Sequence, residues 1–163
     1  MTISNSTKES CKLFSLHYNQ CDPKKCTSLK LNKLNLLKII KSIRGNLKES
    51  IILTPFALQE IKLDDREKLS KNGLIVIDCS WKKILSLPKD DFKYARKLPA
   101  LIATNPTNYG KWEKLTSVEA LAAALYITDY TYQADMILSK FSWGIQFKKL
   151  NKFEKKSKNK KIE

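Results

Sequence analysis

Histidine is almost missing from these 163 residues and glycine is scarce: there is one His and only four Gly. A single His beside four Cys (11, 21, 26 and 79), none of them in a Cys-x-x-Cys pair, gives little support to a zinc set or a disulfide framework. No metal is expected, and the thiols read as structural. The few glycines never fall into Gly-x-Gly-x-x-Gly, so a dinucleotide fingerprint is absent. No apolar run reaches 18 residues, and Met1 to Ser10 is polar without a hydrophobic stretch, which excludes a membrane span and a secretion signal and predicts a cytoplasmic protein. Acidic residues are also in deficit, 16 against 31 Lys plus Arg, for a net charge of +15. A field of that size on a short chain suits a phosphate backbone, the plainer alternative being a Lys-rich composition with no such partner.

What is present suffices for one good core, or two halves sharing one, at 42% hydrophobic content. Cys11 to His17 reads as a first strand, and a loop around Asp22-Pro23 follows. Thr27 or Ser28 can cap a helix in which Leu29, Leu34, Leu36, Leu37, Ile40 and Ile43 recur at helical spacing as far as Gly45. Ser50 to Leu53 is a second apolar run, stopped by Thr54-Pro55. A short helix within Phe56 to Leu69, a strand from Gly73 to Asp78, a helix from Trp81 to Lys97 and a strand over Leu98 to Ala103 complete the alternation. Strands separated by helical crossovers predict a parallel sheet. Two turn signals, Asn105-Pro106 and Asn108 to Gly110, then fold the backbone tightly.

Past Gly110 the pattern turns helical. Thr116-Ser-Val-Glu119 is a capping box opening a helix Ser117 to Ile127, and helices near 132–141 and 145–153 follow with a break at Trp143-Gly144. The expected organisation is an α/β parallel-sheet part (1–97), a helical carboxy-terminal part (98–153) sharing the site, and a basic tail (154–163). Eight of the fourteen residues from Lys148 to Lys161 are Lys, and the last 16 residues are expected to stay outside the core. No apolar seam stands out beyond the core, so a monomer is expected.

Strand ends that feed loops are where α/β proteins place ligands. The end of the Gly73 to Asp78 strand brings Asp78 within three residues of Trp81, a carboxylate beside a flat indole, which suits a cationic ligand such as a sulfonium. A helix-capping Asp and a core Trp are the competing readings. Thr27 and the backbone at Leu53, Ile77 and Leu101 sit at loop-facing strand ends able to bind ribose or adenine edges. His17 has no Ser or Cys partner by motif and reads as structural.

Several of these stretches together resemble a known family. Cys-Asp-Pro-Lys-Lys-Cys-Thr (21–27), Leu-Thr-Pro (53–55), Val-Ile-Asp-Cys-Ser-Trp (76–81), Arg-x-Leu-Pro-x-Leu (96–101), Asn-Pro-x-Asn-Tyr-Gly (105–110), Glu-Ala-Leu-Ala-Ala-Ala-Leu (119–125) and Phe-x-Trp-Gly-x-x-Phe-x-x-x-Asn (141–151) are similar to motifs of the small-subunit rRNA aminocarboxypropyltransferases of archaea and eukaryotes. The resemblance implies a SPOUT-like α/β fold with a deep trefoil knot, a rare exception to unknotted connections. It also implies transfer of the 3-amino-3-carboxypropyl group of S-adenosylmethionine to N3 of a modified pseudouridine, in rRNA or a pre-ribosomal particle. By motif, Thr27, Leu53, Ile77, Trp81 and Leu101 would contact S-adenosylmethionine, as would Thr116 and Ala120 at the start of the capped helix, and Asp78 would be the catalytic carboxylate, as base or as electrostatic partner. Lys24, Lys25, Lys30, Arg96, Lys148 and Lys149 are the candidate RNA contacts. A methyltransferase on the same fold and a noncatalytic rRNA-binding assembly factor are the alternatives.

Overall fold

The computed structural model describes residues 9–18, 24–78, 86, 92–110 and 115–154. Strands form at Leu13–His17 (β1), Lys38–Ile40 (β2), Ile51–Leu53 (β3), Leu74–Asp78 (β4) and Ala95–Arg96 (β5). They make one sheet in the order β2-β1-β4-β3-β5, every pairing parallel. The two longest strands lie side by side, in register from Leu13 opposite Leu74 to His17 opposite Asp78.

Side chains alternate between the faces of a strand, and the core divides accordingly. Leu13, Ile51, Leu53, Leu74 and Val76 enter a large cluster shared with the helices, while Leu16, Ile40, Ile52 and Ile75 form a smaller one on the opposite face. The same parity puts Ser15, His17 and Asp78 on the helix-covered face. Helices run over Thr27–Lys33 (α1), Arg66–Asn72 (α2), Ser117–Ile127 (α3), Thr131–Leu138 (α4) and Gly144–Leu150 (α5). The middle of the helical layer is α3, which packs on β4, α1 and α4. Its alanines explain that position: Ala122, Ala123 and Ala124 are fully buried together with Leu121 and Leu125, so the helix is surrounded by protein on nearly all sides. Among the described residues, no helix is long and apolar enough to cross a membrane.

The carboxy-terminal helices are fastened to the sheet by polar bonds as well as by the core. The side-chain amide of buried Gln133 donates to the Cys11 carbonyl and accepts from the Cys11 amide, each at 2.9 Å. Arg66 donates to the carbonyls of Thr128 and Asp129 with its guanidinium 4.2 Å from the centre of the Tyr130 ring.

Three expectations from the sequence are corrected. The helix expected to run as far as Gly45 stops at Lys33, because Asn35 takes the left-handed conformation (φ 60) and the Leu36 and Asn35 amides donate back to the Leu31 and Asn32 carbonyls. That is a Schellman stop with Asn in the glycine place. Released from the helix, Ile39 and Ile40 join β2. The strand expected over Leu98 to Ala103 is reduced to a single β-bridge residue, Ile102, and a strand lies earlier, at Ala95–Arg96, inside the expected helix. Both backbone groups of Ile102 also meet one side chain: its amide donates to Asn151 Oδ1 (2.8 Å) and its carbonyl accepts from Asn151 Nδ2 (3.0 Å). Finally, the last 16 residues are expected outside the core, but among the described ones Phe153 is buried and stacks on Tyr126 with ring centres 4.7 Å apart. Most of the expected helix from Trp81, and the tail beyond Glu154, lie outside the described residues.

Candidate active site

A cavity of about 750 Å³ opens at the carboxyl ends of β3 and β4. Its walls come from Leu53 to Pro55, from Val76 to Asp78, from Lys97 to Leu101, and from the first turn of α3 with Leu115 before it. Location and size both suit a small-molecule ligand: parallel sheets bind beyond their carboxyl edges, and such sites span roughly 300–1,000 Å³. The Glu60 and Lys97 side chains bring opposite charges to the wall, and the two residues are joined by parallel backbone pairing.

The α3 end of the cavity is built around a buried carboxylate. Glu119 is fully buried, and its Oε2 accepts from the Thr104 amide (2.7 Å) and hydroxyl (3.2 Å). Its Oε1 accepts from Asn105 Nδ2 (2.8 Å), the Thr116 amide (2.9 Å) and the Thr116 hydroxyl (3.0 Å). The Glu119 amide in turn donates to Thr116 Oγ1 (3.4 Å), which completes the capping box. One more free amide at this helix start, that of Val118, donates to Thr27 Oγ1 at 3.1 Å. The turn that follows Asn105 closes through Asn108, and the Gly110 amide donates to the Ala103 carbonyl (2.7 Å) with Gly110 at φ 81. Loop 103–110 and the start of α3 are therefore one hydrogen-bonded unit.

On the other side of the cavity, the register pair His17 and Asp78 meets Cys26 from the cap of α1. The Cys26 thiol donates to Asp78 Oδ2 at 3.3 Å and lies 3.5 Å from His17 Nε2, which is 3.7 Å from the same carboxylate oxygen. These three side chains could offer a metal three donor atoms, all within 4.8 Å of one another, and the group stops at three among the described residues.

Of the residues singled out from the sequence, Leu53, Ile77, Asp78, Leu101, Thr116 and Ala120 line the cavity. Thr27 does not; it is buried as the cap on Val118. Trp81 lies outside the described residues. The basic candidates divide. Lys24, Lys25, Lys30 and Lys149 are exposed. Arg96 is held by Asp65 at 3.2 Å and Lys148 by Asp135 at 3.0 Å, and exposed Lys30 donates to the Lys140 carbonyl at 2.7 Å above the Phe141 ring. Sequence reading missed three participants. Cys26 and His17 read as structural from the sequence, whereas two parallel strands ending in His and Asp, with Cys26 directly before Thr27, bring them to Asp78. Glu119 was recognised as a helix cap, without its hold on Thr104 and Asn105.

Known proteins match this chain along most of its length. The pattern described as "Ribosome biogenesis protein, C-terminal" matches residues 51–161. The 16S rRNA aminocarboxypropyltransferase of Methanocaldococcus jannaschii is 45% identical over 86% of this chain and 82% of its own. The protein of the same description in Thermoplasma volcanium is 47% identical over 85% of this chain and 84% of its own. The chain belongs to the aminocarboxypropyltransferase family. A solved member of the family, the SAM-dependent rRNA:acp-transferase Tsr3 from Vulcanisaeta distributa, superposes with a TM-score of 0.78 at 36% identity, covering 87% of this chain and 79% of that one. Residues 11–44 also match a pattern described as a possible Fer4-like domain in RNase L inhibitor. That stretch holds three cysteines here, and Cys11 is a buried thiol pushed up to about 12 by desolvation.

Proposed function

We propose that this protein transfers the 3-amino-3-carboxypropyl group of S-adenosylmethionine to N3 of a (N1-methyl)pseudouridine in small-subunit rRNA during ribosome biogenesis. The observation that carries the reading is the convergence of five family-motif residues, Leu53, Ile77, Asp78, Leu101 and Ala120, with Thr116 at the start of the capped helix, on one cavity. S-adenosylmethionine supplies an alkyl chain on a sulfonium; N3 forms the new bond to the methylene carbon next to sulfur, the carbon–sulfur bond breaks to release methylthioadenosine, and the N3 proton passes to the Asp78 carboxylate or, if Asp78 acts only through its charge, to water. Sulfonium is already a good leaving group, so the protein's work is orientation. Backbone groups at the ends of β3 and β4 and in the loop at Leu101 hold the nucleoside portion. Asp78 faces the cavity as a carboxylate and favours positive charge beside it, the character of a sulfonium before attack. Trp81, three residues on, walls off the methyl group so that the longer chain faces the RNA. The exposed Lys24, Lys25 and Lys149 contact phosphate.

The same reading takes the α/β part (1–97) as the source of Asp78 and the helical part (98–153) as the source of the capped loop. It includes a deep trefoil knot, a monomeric state and a cytoplasmic location, for which family membership and basic charge are the support. The test uses precursor rRNA with S-adenosylmethionine labelled in either the methyl or the carboxyl carbon. Carboxyl label in the RNA with no methyl label, and release of methylthioadenosine, are expected. Methyl label alone would make the protein a methyltransferase, and label from neither position would make it an assembly factor. Asp78→Asn is expected to slow transfer with little change in RNA affinity.

A further inference from the structure

We infer that His17 and Cys26 are positioning residues for the reaction, holding the Asp78 carboxylate in the orientation that transfer requires. The inference rests on the role given to Asp78 above and extends it to two residues that the reading does not otherwise use. Parallel register places His17 directly opposite Asp78, and Cys26 reaches them from the cap of α1, whose start is fixed by Thr27 and Ser28. The Ser28 hydroxyl meets that of Ser15 at 3.0 Å, one step earlier on the same face of β1, so the cap is seated on the sheet rather than beside it.

The thiol directs its one hydrogen at Asp78 Oδ2 at 3.3 Å, and His17 Nε2 meets the sulfur at 3.5 Å. Nε2 stands 3.7 Å from Asp78 Oδ2, an ion-pair distance rather than a hydrogen bond, so His17 seats the thiol and the thiol holds the carboxylate. Both side chains are buried, His17 at 7% and Cys26 at 8% exposure, which restrains a terminal torsion of Asp78 that is otherwise broad. A thiol is a weak donor, so this grip orients the carboxylate while leaving most of its charge for the cavity.

The experiment is a double-mutant cycle on single-turnover transfer, with S-adenosylmethionine affinity measured by calorimetry and folding by near-ultraviolet dichroism. Cys26→Ala and His17→Leu are each expected to lower the transfer rate about 10-fold, with S-adenosylmethionine Kd and RNA KM within about 2-fold. Cys26→Ser and His17→Gln, which keep a donor, are expected to recover most of the rate. In an Asp78→Asn background, Cys26→Ala is expected to have no further effect, because the group it positions is gone. An equal loss in both backgrounds, or full activity of Cys26→Ala, overturns the inference while leaving the role of Asp78 intact. A fully active Asp78→Asn removes that role and this inference together. Zinc copurifying in stoichiometric amount would also overturn it, by making the three side chains metal ligands.

Discussion

Replacing Glu119 by Gln keeps the shape of the side chain and removes one oxygen. In the native site, five donor contacts converge on two carboxylate oxygens, and two of the donors are backbone amides that cannot turn away, those of Thr104 and Thr116. The amides lie on different oxygens, so either orientation of the Gln side chain points its NH₂ at a fixed N–H. One buried donor then goes unpaired, at about 1–3 kcal/mol, and the remaining bonds lose the charge that strengthened them. The expected destabilisation is about 3 kcal/mol. At roughly 2–4 °C per kcal/mol for a chain of this length, the Tm should fall by about 6–12 °C. Thermal melts followed by circular dichroism, with urea titration to confirm an unchanged slope, measure this directly. A fall of less than about 2 °C would refute the reasoning, since it would mean that the loop amides find other partners at no loss.

Thr27→Val should cost about 1 kcal/mol in urea denaturation by exposing the Val118 amide at the start of α3, whereas Thr27→Ser should be near neutral. Asn151→Asp replaces a donor facing the Ile102 and Phe147 carbonyls with an oxygen, so it should destabilise by about 2 kcal/mol and weaken S-adenosylmethionine binding through Leu101; unchanged calorimetric affinity would count against the clamp. Burial lifts the Cys11 thiol from 9.0 to about 12, so above pH 9 the unfolded chain releases this proton while the folded one keeps it. The stability from that difference is complete below pH 9 and is lost as pH rises towards 12, so wild type should lose ~1.4 kcal/mol more than Cys11→Ala between pH 8 and pH 10.

The parallel sheet and the boundaries of α3 were legible in the sequence because both rest on local signals: apolar runs ended by Pro55, Asp78 and the capping box of Thr116 and Glu119. The stop after Lys33 was legible in principle, since Asn35 is a good left-handed residue, yet the leucines beyond it kept helical spacing and masked the break. What could not be read was long-range substitution. Leu98 to Ala103 has the apolar content of a strand, but it keeps only a single bridge residue, Ile102, whose amide and carbonyl are held by a side chain 49 residues away. For the site, strand ends pointed to Leu53, Ile77, Asp78 and Leu101, which share one cavity. Charge alone pointed to Arg96, Lys30 and Lys148, and charge says nothing about which cations the fold will spend on its own carboxylates and carbonyls.

The Gln133 clasp on Cys11 has a kinetic meaning. Both backbone groups of a residue beside the first strand wait for a side chain 122 positions later, and the strands themselves pair only in parallel, across long intervening segments. Contacts so distant close late, because the chain must lose most of its freedom before they form. The face of the sheet that α3 covers therefore has no partner until the carboxy-terminal helices are made, and pulse-labelled hydrogen exchange is expected to show the Cys11 amide gaining protection late, together with α4.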